Sequence, residues 1–124
     1  MPVTSTRAPD RIRFTLADFA RLVAAGRPCC ATFEVPGNKR AWAQVTAETV
    51  NVSYPYEGDP EEWLPIAGLH LPDGMRQIAW KPYVFIEFSY ADPAPLAEFL
   101  HACFTLLLKQ EGDRYPLVTN AVQV

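Results

Sequence analysis

Two histidines, three cysteines and fourteen carboxylates are the residues of this 124-residue chain whose types could do chemistry. A thiol nucleophile would need Cys29 or Cys30 within hydrogen-bond reach of His70 or His101. No orienting motif surrounds any of them. A zinc site would use CxxC pairs or a similar grouping of ligands, and Cys29 and Cys30 are adjacent instead. His101 and Cys103 are two apart; on a helix they point about 200° from each other and cannot chelate together. An odd cysteine count without regular spacing is not a disulfide framework, so free, buried thiols are expected.

The carboxylates divide in two. Asp59, Glu61 and Glu62 cluster in a turn, where solvation is the usual reason. Glu34 and Glu87 fall on two different strand patterns and could share a sheet face, which would raise the pKa of one as in paired-carboxylate catalysis. Both lie on the more polar face of their strands, the pattern of exposed strand carboxylates. There is no phosphate-cradling glycine loop, nucleophile elbow, HExxH or CxxC. With no residues filling the roles an active site requires, the expectation is a non-catalytic protein without cofactor or metal.

Aromatic residues are the stronger signal. Trp42, Tyr54, Tyr56, Trp63, Trp80, Tyr83 and Phe85 exceed what one small core readily takes. Some will pair across strands; the others would form an exposed apolar patch, which usually marks a binding surface. Trp42 and Phe85 fall on the sheet face opposite the helices.

The elements that must position these residues follow from periodicity. Residues 1–11 read as a loose arm containing Pro2 and Pro9. Thr15 with Asp18 resembles a capping box, and Leu16, Phe19, Ala20 and Val23 recur at helical spacing up to Gly26. Cys29 to Val35, Arg40 to Thr46 and Thr49 to Tyr56 then alternate with period two. Short connections such as Pro36-Gly37-Asn38 imply an antiparallel meander.

Residues 57–75 hold too many prolines and glycines for a long element. Asp59-Pro60-Glu61-Glu62 predicts one or two helical turns through Trp63. The large apolar residues that follow predict packing over the sheet or a contact surface. Arg76 to Trp80 is a short strand, and Tyr83 to Tyr90 a strand inside the sheet. Residues 115–124 are a last edge strand or an arm.

Asp92 to Lys109 predicts a long helix with Asp92 as cap and Pro93 in its first turn. Only Glu98, His101, Thr105 and Lys109 make its polar arc, and His101 is expected to face solvent. The apolar remainder covers roughly twice the 100° stripe a surface helix needs. Its excess near Ala102 and Leu106 predicts a cover besides the sheet: further core of its own, or another polypeptide. The fold class is therefore α+β in a single domain over 1–124. An antiparallel sheet of four to five strands carries the N-terminal helix and the long apolar C-terminal helix on one face. The element order is helix, three strands, short helix, two strands, helix.

A net charge of −3 with no basic run argues against a nucleic-acid partner. The polar start MPVTSTRAPDR lacks the apolar stretch of a signal peptide, and no apolar run approaches the roughly 20 residues of a membrane span, so a cytoplasmic protein is expected.

The stretch Ala79-Trp80-Lys81-Pro82, followed by YVFIEFSY and PLAEFLHACFTLLLK, resembles the later part of the class I type III secretion chaperones and the related YbjN-type bacterial proteins. The element order is similar over most of the chain, although the glycine usual before the tryptophan is Ala79 here. The resemblance implies a homodimer that binds a partner polypeptide on its sheet and helix surfaces without catalysis. The expected function is thus a chaperone-like or adaptor-like protein-binding module, with Trp42, Trp63, Trp80, Tyr83, Phe85, Phe99, Ala102 and Leu106 as candidate contacts. An immunity or antitoxin-type protein that blocks a toxin by surface contact is the alternative. A small enzyme or small-ligand binder using the cleft between sheet and long helix comes third.

Overall fold

The computed structural model describes residues 7–124. Helix α1 (Ala8–Ala24) is followed by strands β1 (Cys29–Glu34), β2 (Trp42–Val45) and β3 (Thr49–Ser53), then by helix α2 (Pro60–Ala67). Strands β4 (Arg76–Lys81) and β5 (Phe85–Ser89) lead into helix α3 (Leu96–Ala102), a π-helical turn (Cys103–Leu107) and strand β6 (Val118–Gln123). The six strands form one antiparallel sheet in the order β4-β5-β3-β2-β1-β6. The α+β class and the helix–meander–helix–hairpin–helix order agree with the periodicity.

The strand count is six rather than four to five, because residues 115–124 supply β6, which runs along β1 over six residue pairs. Its short alternation, with Val118 and Val122 on one side and Ala121 on the other, carries little hydrophobic signal. The pairing is decided by β1, which otherwise would be left as an edge.

Alternation along the central strands was legible and accounts for the core. Ala31, Phe33, Ala43, Val45, Val50, Val52, Ile86 and Phe88 point to one face and are buried beneath the helices. Burial of a large side chain of this kind stabilises by about 1.5–3 kcal/mol. Strand β5 lies between β3 and β4, as its two apolar faces require. It begins at Phe85, however: Tyr83 sits in the β4–β5 turn at φ 63°, with its N–H donating to Tyr56 O at 3.0 Å.

The N-terminal helix starts seven residues before Thr15. Of the expected arm, residues 1–6 lie outside the described residues, whereas Ala8 to Arg11 are helical. Pro9, within the expected arm, occupies the first turn, where its missing N–H costs nothing. The Ala8 N–H reaches outside the helix to Asp113 O at 2.7 Å. Thr15 is not a cap but a buried mid-helix residue whose hydroxyl donates to Thr119 Oγ1 at 2.7 Å.

The C-terminal helix is shorter and less regular than its composition implies. The Asp92 carboxylate accepts from Ala94 N at 2.9 Å and so closes a local turn, and the helix starts at Leu96. From Cys103 the ladder shifts to π geometry, with Leu108 N–H donating to Cys103 O at 3.0 Å. A π turn advances less than about 100° per residue. It therefore swings Leu106 outward and brings both Leu107 and Leu108 into the core. Thr105 Oγ1 bonds back to His101 O at 3.0 Å and Ala102 O at 3.3 Å, at the start of the π turn. The Tyr56 hydroxyl donates to Leu107 O at its end.

The over-wide apolar arc finds most of its cover within the chain. The sheet lies on one side, and α1, α2 and the segment from Gln110 to Leu117 on the others. Tyr115 and Leu117 of that segment are buried. Phe99 is core, edge-on to Phe88 at 5.2 Å, and cannot be a contact residue in the folded chain.

Candidate functional site

The candidate residues distribute over three surfaces. Trp42 and Phe85 project from the sheet face away from the helices, in line through the pairings of Glu34 with Trp42 and Ser53 with Phe85. Both are half-buried and stand outside the core cluster. Glu34 and Glu87 share this face, but β2 and β3 intervene, a separation of about 14 Å at 4.8 Å per strand. They do not form a carboxylate pair.

A second group is aromatic and lies at the far end of the sheet. Tyr54 meets Tyr56 and Trp80 edge-on at 5.5 and 6.0 Å, and Trp63 of α2 tilts against Tyr56 at 5.5 Å. Trp80 points to the core face of edge strand β4 and is packed against the core rather than offered to solvent. The Tyr54 hydroxyl donates to Gly58 O, and its pKa is pushed up to about 12, first by burial and then by Asp59. Tyr83 is exposed nearby, its hydroxyl 3.3 Å from Glu57 Oε2. Asp59 is the cap of α2, accepting from Glu61 N at 2.9 Å, so this acidic cluster is explained by helix initiation.

The third surface is a groove that periodicity did not reveal. It runs between α1 and the connection from Tyr90 to Ala97, with a volume of about 760 Å³. Leu16, Ala20 and Val23 form one wall, and Pro93, Ala94 and Ala97 the other. Arg13 and Ala97 also line a smaller hollow of about 250 Å³ that continues past Ala102 to Leu106. The two hollows share Arg13 and Ala97 and lie next to one another along the outer side of the helical layer. Leu106 is 39% exposed at the end of the smaller hollow, close to Gly68 after α2, while Ile66 of α2, 76% exposed, lines a separate hollow with Trp63. Small side chains keep the floor open: α1 shows Ala17, Ala20 and Ala24 to the channel, where a longer helix former would have closed it. That run of alanines at helical spacing was the sequence signal available; it reads equally as plain helix propensity.

His101 is not a solvent-facing residue. Its ring stacks on Tyr115 at 5.7 Å and 6°, with Nδ1 2.9 Å from the Tyr115 hydroxyl. Burial holds the imidazole pKa below its ordinary value, with Asp113 opposing and Arg7 reinforcing the shift. The unfolded chain therefore takes up the proton first as pH falls. Stability from this residue is complete above about pH 6.5 and is lost as pH falls through that value toward the lower folded pKa. The urea midpoint is expected to drop between pH 7.5 and 5.5, and His101→Gln to flatten that slope; an equal slope in the variant would place the cause elsewhere.

Cys103 is fully buried, which pushes its thiol pKa up and keeps it protonated. Cys29 and Cys30 are half-buried at the start of β1. Among the described residues, no three or more His, Cys, Asp or Glu side chains are grouped to hold a metal ion, and no helix is long and apolar enough to cross a membrane. No protein-family model, curated protein or solved structure matches the chain.

Proposed function

We propose that this chain is a non-catalytic polypeptide-binding module, chaperone-like or adaptor-like, that holds an amphipathic helical segment of a partner in the channel between α1 and the Tyr90–Ala97 connection. The channel itself is the observation that supports this reading. It is apolar, bounded by two elements of the same layer, and α1 extends for about 25 Å at 1.5 Å per residue over its 17 residues. A third helix laid along such a trough buries its apolar stripe on alanine floors and leaves its polar face in water. Arg13, paired with Asp10 of the same helix, and Asp92, whose carboxylate also accepts from Ala94 N, are the charged groups on its walls. Leu106, on the smaller hollow, extends the apolar surface beyond one end of the trough.

The test is selection from a displayed library of amphipathic helical peptides, followed by amide-shift mapping of the binders. Peptides that shift residues 13–24 and 90–97 are expected, with affinity reduced at least tenfold by Ala20→Arg or Ala97→Arg and unchanged by Trp42→Ala. Binders that map to the Trp42–Phe85 face, or a library that yields none, would remove the reading.

A further inference from the structure

The two edges of the sheet are not alike. Strand β4 carries a bulge between Gln77 and Ala79 and the charged residues Arg76 and Lys81, devices that keep an edge from pairing. Strand β6, VTNAVQ, has no charge and no proline, and keeps an unbroken register with β1 over all six pairs. We infer that β6 pairs antiparallel with β6 of a second copy about a twofold axis at Asn120, joining two sheets into one of twelve strands.

Backbone direction permits it. The Val124 N–H donates to Pro28 O at 2.8 Å, which extends the β1–β6 register and places the N–H and C=O of even-numbered β6 residues toward β1. Those of Thr119, Ala121 and Gln123 therefore point outward, unpaired within the sheet. A twofold at Asn120 sets Thr119 opposite Ala121 of the second copy, and the reverse, so the outward groups bond to one another. It also sets Val118, 54% exposed, against Val122 of the second copy, and Asn120 against Asn120. Apolar meets apolar and amide meets amide.

Helix α1 repeats the match one layer up. It runs alongside β6: its first residue bonds Asp113 O, Thr15 bonds Thr119, and Arg27 beyond its end bonds Gln123 Oε1 at 3.0 Å. Ile12, Thr15 and Phe19 face the sheet, and Leu16, Ala20 and Val23 face the channel. The remaining flank, above the β6 edge, carries Arg11, Phe14 and Asp18 at i, i+3 and i+7. Phe14 is 47% exposed there and, among the described residues, is not part of the core. The same twofold passes near Thr15, brings Phe14 against Phe14, and sets Arg11 against Asp18 of the second copy on both sides, where Asp18, already paired with Arg21 of its own exposed helix flank, becomes the shared acceptor of both guanidinium groups. A strand edge and a helix flank, read independently, are self-complementary about one axis. Both channels stay open, so this assembly does not depend on what the channel binds.

Sedimentation equilibrium at about 100 μM tests it. The full chain is expected at twice its 13.9 kDa mass. Ala121→Pro, which removes an outward donor, and Phe14→Glu on the exposed flank should each return it to monomer with unchanged circular dichroism. Arg11→Asp should raise the dissociation constant at least tenfold, and adding Asp18→Arg with Arg21→Asp, which reverses the Asp18–Arg21 pair within the helix instead of breaking it, should recover it, a rescue that a damaged fold would not show. A monomeric native chain, a dimer indifferent to Phe14→Glu and Arg11→Asp, or a failed rescue would overturn the pairing.

Discussion

Leu100→Asp is expected to leave no folded protein, whereas Leu106→Asp, six residues on in the same helical run, should fold. Leu100 has no solvent exposure and lies in the main core; Leu106 is 39% exposed. Aspartate at position 100 forfeits about 1.5–3 kcal/mol of apolar burial and strands a carboxylate in a site without a partner, at several kcal/mol more. Together these match the roughly 5–15 kcal/mol that holds a domain of this size. At position 106 the same carboxylate reaches water because the π turn has swung the side chain outward. Circular dichroism and urea unfolding of the two variants decide it. If Leu106→Asp also unfolds the chain, the end of that helix is core and the smaller hollow beside it is no free surface.

Phe104→Ala is expected to cost about 3–5 kcal/mol, the range for deleting a buried aromatic side chain. Phe104 is fully buried, with Tyr115 at 5.8 Å and tilted 32°. Its removal undermines the sheet-to-helix contact and also the segment from Gln110 to Leu117 that Tyr115 anchors. Tyr115→Phe is the control: it keeps the packing and gives up only the bond to His101, a change of about 1 kcal/mol. The urea midpoints of both variants, compared at constant slope, measure the difference. A loss below about 1 kcal/mol for Phe104→Ala would mean that the π turn repacks freely and that the helical layer is less rigid than its burial implies.

The role of Leu106 shows how far the chain can be read before it folds. A uniform 100° step places Leu106 beside Phe99 on the apolar arc, and the excess width of that arc pointed to cover beyond the sheet. The excess is real, but α1, α2 and Tyr115 cover most of it, and one wider turn moves the remainder. Tyr115 lies in a stretch of polar and proline residues without periodicity, so no local pattern showed that it would fold back on His101. The channel was hidden for the same reason. It belongs to two elements some seventy residues apart, and neither carries an unusual signal by itself.

Local patterns determined the strands of the meander, the inside position of β5, the capped helix at Asp59 and the division of Trp42 and Phe85 from the core. These depend on period-two alternation and on caps, which act over a few residues and survive in the sequence. Tertiary structure alone decided the start of α1 at Ala8, the sixth strand, the π turn, the stacking of His101 on Tyr115, the open channel and the contrast between the two sheet edges. Each of these is settled by a partner distant in the chain, through a backbone group needing a bond or a side chain needing cover, and such partners exist only once the sheet has closed.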